Sequence, residues 1–140
     1  MTSDQPTVDR AAIRQKIEAQ TDFNDRCITV FYDNLFETVP GAKALFKNQA
    51  RQRSMFQTML QVMIRDIADQ EALDRHIEQL GKKHREKGVQ SVHIKMGRSA
   101  FLNGIAAGCP SLSEDEIGFF SALYDKMALT MQKMPPRKTV

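Results

Sequence analysis

The sequence is short of cysteine, of long apolar runs and of any strong excess of one charge. Its two cysteines, Cys27 and Cys109, stand far apart and form no CxxC or other metal-ligand spacing. A recognisable cysteine metal motif is thereby absent; a single bridge between the two stays open, and reduced thiols are the expectation. No apolar stretch approaches the roughly 20 residues needed to span a bilayer. The opening MTSDQPTVDR has no apolar core and does not read as a secretory signal. Basic residues number 20 and acidic residues 17, interspersed, for a net charge of +3. Such a mixture argues against a dedicated nucleic-acid binder, which carries a stronger basic bias. No segment alternates apolar and polar residues with period two, and there is no internal repeat or low-complexity tract. The expectation is a soluble, cytoplasmic chain with no nucleic-acid and no membrane partner.

What is present is helical in pattern. A length of 140 residues suits one domain with a real core, and 41% hydrophobic content makes disorder an expectation only at the ends. We read residues 1–7 as a flexible lead, 8–134 as the folded domain and 135–140 as a flexible tail. Ile13 and Ile17 mark a first helix, from about Val8 to Gln20. Ile28, Phe31, Tyr32, Leu35 and Phe36 form the face of a second, ended by VPG at 39–41. AKALFKNQ then connects to a stripe of Met55, Phe56, Met59, Leu60, Met63, Ile64 and Ile67 on a helix from about Gln52 to Ile67. A further helix runs from near Gln70 to Gly88, a helix-stopping residue. The next carries His93, Gly97, Ala100, Phe101, Gly104 and Ile105 and breaks at GCP. SEDE at 113–116 has the serine and glutamate of a capping box, opening a last helix through Met131. Six or seven helices and no strands make an all-α domain.

One residue interrupts this pattern. Leu73, Ile77, Leu80 and His84 step by the spacing of a single buried helical face, so an imidazole falls where an apolar side chain belongs. A lone histidine in such a place is more often a satisfied core residue than a ligand. Likewise, the methionine-rich stripe is more often core than a cofactor wall, and Lys82, Lys83, Arg85 and Lys87 more often a solvated face. Against this, a neutral imidazole is a good iron ligand, and one axial histidine suffices to hold haem in a helical pocket. Positive side chains beside it would suit the propionates. Tyr32, Phe46, Phe56 and Gln52 also stand where they could face one cavity, and a tyrosine and a glutamine on apolar faces need hydrogen-bond partners.

On these residues the chain resembles a globin, specifically the single-domain bacterial relatives of the haem domain of flavohaemoglobins. FYDNLF is similar to the second-helix motif containing the phenylalanine–tyrosine pair. VPGAKALF resembles the segment whose phenylalanine, here Phe46, stacks on haem. QRSMFQTML is similar to the start of the distal helix, with Gln52 at the polar position and Phe56 one turn later. LGKKHREKGV resembles the proximal-histidine motif, also found in neuroglobin-like chains, and HIKMGRSAFL the helix anchored by Gly97. The likeness covers roughly residues 10–132.

The resemblance implies a globin fold around haem b, with His84 as the iron ligand. Phe46, Tyr32, Gln52, Phe56, Leu80, Lys83, Val89, His93 and Gly97 are implied around the cofactor, with Lys83 near a propionate. A one-residue slip in alignment would move the distal role from Gln52 to Arg51 or Arg53. The implied function is reversible binding of dioxygen and other diatomic gases (NO, CO), in nitric-oxide detoxification or in oxygen and redox sensing. The family's flavin- and nicotinamide-binding domains have no room in 140 residues, so a dioxygenase activity would require a separate reductase. The proximal network of flavohaemoglobins is also altered: its tyrosine position is His93, which is equally a polar residue at the pocket rim, and its glutamate position falls near Met134 and Pro135. His76 reads as peripheral. A monomer or dimer is expected. A haem-free signalling module on the same fold is the alternative, as is a basic domain that binds an anionic partner.

Overall fold

The computed structural model describes residues 8–133, which form seven helices and, among the described residues, no strand. The expected lead 1–7, the tail 135–140 and the Met134–Pro135 position lie outside them. The helices are α1 (Arg10–Glu18), α2 (Phe23–Thr38), α3 (Ala42–Leu45), α4 (Gln49–Arg65), α5 (Gln70–Glu86), α6 (Ser91–Gly108) and α7 (Glu114–Lys133). The all-α expectation holds, and the connector AKALFKNQ contains the short helix α3.

Side-chain caps set several helix starts. Asp9, Asn48 and Asp69 each accept a hydrogen bond from the backbone N–H three residues on, satisfying a donor that has no partner inside the helix. The capping box read from SEDE forms. Ser113 N–H donates to Glu116 Oε1 at 2.8 Å, and Glu116 N–H donates to Ser113 Oγ at 3.2 Å. Glu116 is nearly buried, so its charge needs compensation. Lys16 Nζ supplies it at 2.7 Å, tying α1 to the start of α7.

Helix packing runs in series: α4 rests on α2, α2 on α6, α6 on α7, and α7 on α5. The α2–α6 crossing is the most extensive of these. It is so close that a Cβ on Gly104 would lie 2.7 Å from the carbonyl oxygen of Cys27. Around it Ile13, Cys27, Leu60, Ile67, Leu73, Ile105, Phe120 and Met131 form a fully buried core. Both thiols are free and buried, as expected for reduced cysteines. One member of the α4 stripe departs from the expectation. Met55 is 43% exposed, because the face that reaches the core is centred on Leu60 and Met63.

The crossing yields a stability prediction with an internal control. Gly104→Ala should destabilise the fold by about 1–3 kcal/mol, since the contact is backbone and cannot rotate away. Gly118→Ala, where an added Cβ meets nothing within 4 Å, should stabilise it by about 0.5–1 kcal/mol through helix propensity. Denaturant unfolding of the two variants checks both signs.

Candidate functional site

His84 lies in the last turn of α5 and is partly buried. Its Nδ1 is 2.8 Å from the Leu80 carbonyl oxygen. A carbonyl only accepts, so Nδ1 carries the hydrogen and Nε2 keeps its lone pair. Burial pushes the pKa of His84 down; the Leu80 bond opposes this, and the nearby Lys87 charge assists it. The side chain is therefore a neutral nitrogen donor with one nitrogen fixed and the other available.

The helix end behind it is equally defined. Gly88 adopts φ +82°, a left-handed conformation that glycine enters without a Cβ penalty. Its N–H donates to Arg85 O at 3.1 Å, and the Val89 N–H donates to His84 O at 3.0 Å. These are the two bonds of a Schellman motif. Val89 and Leu80 both pack against the core, whereas Lys83 is exposed.

The other half of the expected site gathers around Tyr32, which is 6% exposed. Its ring centroid lies 5.4 Å from Phe46 and 6.1 Å from Phe56, both edge to face, with Phe31 and Phe36 completing the cluster. Burial raises the pKa of Tyr32 and the charge of Arg53 opposes the shift, so the phenol remains a protonated donor at neutral pH. Gln52, one turn before Phe56, is partly buried, and its Oε1 is buried without a hydrogen-bond partner. Leaving such an acceptor unmatched costs about 1–3 kcal/mol.

The remaining expectations are placed differently. His93 Nδ1 accepts the Gln90 N–H at 3.3 Å, and the pair forms a capping box for α6. Gly97 is buried at a helix crossing, where a Cβ would lie 3.1 Å from the Tyr124 hydroxyl. That hydroxyl donates to the Ile94 carbonyl, and burial raises its pKa. Among the described residues no hydrogen bond, ion pair or ring contact joins the Tyr32 cluster to His84. Both sets do pack on the same core, through Phe46 and Phe56 on one side and Leu80 and Val89 on the other.

Two further residues have definite partners, and His76 lies apart from the Tyr32 cluster, in keeping with its peripheral reading. His76 Nε2 meets Asp66 Oδ2 at 2.7 Å, linking α5 to the end of α4. No pattern in the sequence signals this pairing, because it joins two helices across a turn. Arg53, not Arg51, reaches Tyr32, its guanidinium carbon 5.7 Å from the ring centroid. Arg51 is exposed.

A cavity of about 800 Å³ lies between the α1–α2 corner and α4, and none of the expected site residues lines it. A cavity of about 210 Å³ borders Tyr32 and Arg53. Among the described residues there is no group of three or more His, Cys, Asp and Glu side chains able to hold a bare metal ion. A single imidazole donor suits instead a metal that arrives within its own ring of nitrogen ligands.

The depressed pKa of His84 has a measurable consequence. In an NMR titration of the haem-free protein, His84 should protonate below its ordinary value of 6.5. The unfolded chain then binds that proton more readily than the native one. Stability from this residue is thus full above the ordinary histidine range and is lost as pH falls through the lower native value. A midpoint at or above the ordinary value would contradict the burial argument.

Comparison with known proteins bears on all of these residues. A search of curated proteins returns no match. A family model described as Globin matches residues 29–131, a span that runs from α2 into α7 and contains Tyr32, Phe46, Gln52 and His84. With seven helices and this match over most of its length, the chain belongs to the globin family, whose members typically bind haem.

Proposed function

We propose that this globin holds haem b through His84 and reversibly binds dioxygen and other diatomic gases, NO and CO among them. Its further resemblance is to the single-domain relatives of flavohaemoglobins. The proposed role is nitric-oxide detoxification or oxygen and redox sensing, with a separate reductase as redox partner. The observation that carries this reading is the His84–Leu80 hydrogen bond. It fixes the tautomer and ring orientation, so the free Nε2 is a preorganised, neutral ligand. The residues present fit the cofactor on a second count, the buried and unmatched Oε1 of Gln52. A buried acceptor without a partner marks a polar group that a molecule bound beside it could satisfy.

When bound, haem would supply an iron able to take up a diatomic gas. The chain's part is to hold and to discriminate. His84 and Leu80 hold from the proximal side, while Phe46 offers an aromatic face for stacking. Tyr32 keeps its proton, because burial raises its pKa, and so serves as a hydrogen-bond donor. Gln52 and Phe56 bring a second donor and an apolar wall that excludes water. In this reading Val89 and the exposed Lys83, close to His84 in sequence, would meet the proximal edge of the cofactor and a propionate, whereas His93 is engaged in the α6 cap and Gly97 in the contact with Tyr124. Polar donors slow the release of a charged or polarised ligand, which suits redox chemistry or sensing better than bulk delivery.

Two experiments test this. His84→Ala should lose most bound haem on purification and recover it with added imidazole, read from the Soret absorbance. Normal haem content and an unchanged ferrous spectrum in that variant would overturn the assignment. Separately, stopped-flow oxygen release should quicken about tenfold in Tyr32→Phe, since about 1.4 kcal/mol separates decades and one such hydrogen bond contributes about that much. Gln52→Leu should give an equal or smaller change. Identical release rates for wild type and Tyr32→Phe would mean that the tyrosine serves no ligand.

A further inference from the structure

Helix α4 brings a permanent charge to the tyrosine. The guanidinium of Arg53 lies over the Tyr32 ring at 5.7 Å, and Nη2 donates to Thr29 Oγ1 at 3.0 Å. Thr29 precedes Tyr32 by three residues on α2, so both contacts hold the guanidinium against one helical face. Arg53 is only partly exposed, and no carboxylate of the described residues forms an ion pair with it. Beside it opens the cavity of about 210 Å³, walled by Tyr32, Phe36, Arg53, Lys43, Gln49 and Asp33. Two cations thus face a single carboxylate across that space. Lys43 and Asp33 are both exposed, where solvent weakens their fields, so the better-shielded Arg53 dominates close to the ring.

We propose that Arg53 is the specificity-determining residue of the Tyr32 side, making the site favour small anions such as azide or nitrite over neutral ligands of similar size. The inference rests on the reading of His84 as a haem ligand. An arginine does not lose its proton in the accessible pH range, so its charge is constant where a histidine's would switch. A neutral diatomic gas gains little from a nearby point charge. An anion gains the full Coulomb term, which in a partly desolvated site exceeds its value in water. The ring contact also gives Arg53 a second effect: its charge favours the phenolate of Tyr32, opposing burial.

The test compares Arg53→Met and Arg53→Lys with wild type, using the full chain. Azide affinity of the ferric haem-loaded protein should fall about tenfold in Arg53→Met and be largely kept in Arg53→Lys. Carbon monoxide affinity of the ferrous protein should change less than twofold. Unchanged azide affinity, or equal losses for azide and carbon monoxide, would overturn the proposal, the latter by showing a merely structural role. A second readout is independent of ligand binding. The chain has two tyrosines, Tyr32 and Tyr124, so 3-fluorotyrosine labelling gives two fluorine resonances, and the one absent in Tyr32→Phe is assigned. Ionisation of Tyr32 should move to higher pH in Arg53→Met; no movement would place the guanidinium away from the ring and overturn the proposal. A purified chain with no Soret band would defeat the haem reading instead, a failure distinct from either of these.

Discussion

The geometry of the site depends on the contact between α2 and α6, where the backbone of Cys27 touches Gly104. Tyr32 follows Cys27 along α2, and His84 belongs to α5, which packs on α7 and not on α2 or α4 in any extensive way. The two halves of the site are therefore related through a series of crossings: α2 on α6, α6 on α7, α7 on α5. Each crossing has a glycine in close contact with the opposite helix. Gly104 meets Cys27, Gly97 meets Tyr124, and Gly81 meets Thr130 and the Met127 carbonyl. Where no side chain intervenes, spacing is set by hard contact with few alternatives, and the relative placement of distant residues is correspondingly well determined. A polar link from the end of α4 to α5 is the Asp66–His76 pair. That pair is partly exposed, and such pairs contribute little to stability on their own.

Much of this was legible in the sequence, and the reason is periodicity. The steps of Leu73, Ile77, Leu80 and His84 placed an imidazole on an inward face, and burial of Leu73 and Ile77 follows that face. Ser113 and Glu116 announced a helix start through chemistry confined to four residues. Local rules succeed where all partners lie within one turn. They lose resolution where neighbours in sequence differ by 100° around the helix. Met55 and Phe56 both count as apolar, yet Phe56 packs on the core while Met55 points toward solvent. Gln52 and Arg53 pose the same difficulty with polar residues. Choosing between them required Thr29 and the Tyr32 ring, both supplied by another helix.

The tyrosine near Gly97 illustrates the limit differently. By resemblance, a tyrosine was expected four positions before Gly97, where the chain has His93. That histidine caps its own helix, and the hydroxyl that reaches Gly97 comes from Tyr124 on α7. It donates to the Ile94 carbonyl, and no carboxylate takes its hydrogen. A phenol is thus retained close to the position, but its bond goes to backbone. Spacing along the chain cannot register such an exchange, because the group arrives from a residue far away in sequence.

The two sides of the site solve opposite electrostatic problems with the same degree of partial burial. On α5, desolvation makes the protonated imidazole unfavourable, and the Leu80 carbonyl takes the one hydrogen that remains, so a neutral donor is available without competition from a proton. On α4, desolvation cannot neutralise an arginine, so the charge survives and is met by what lies near: a threonine hydroxyl and the face of a tyrosine. Exchanging the two residue types would fail on both sides. An arginine at 84 offers no lone pair, and a histidine at 53 is a group that burial like that of His84 can discharge. The difference between the halves therefore rests on ionisation chemistry as much as on shape: burial leaves His84 a neutral nitrogen donor, whereas the Arg53 guanidinium keeps its charge beside the Tyr32 ring.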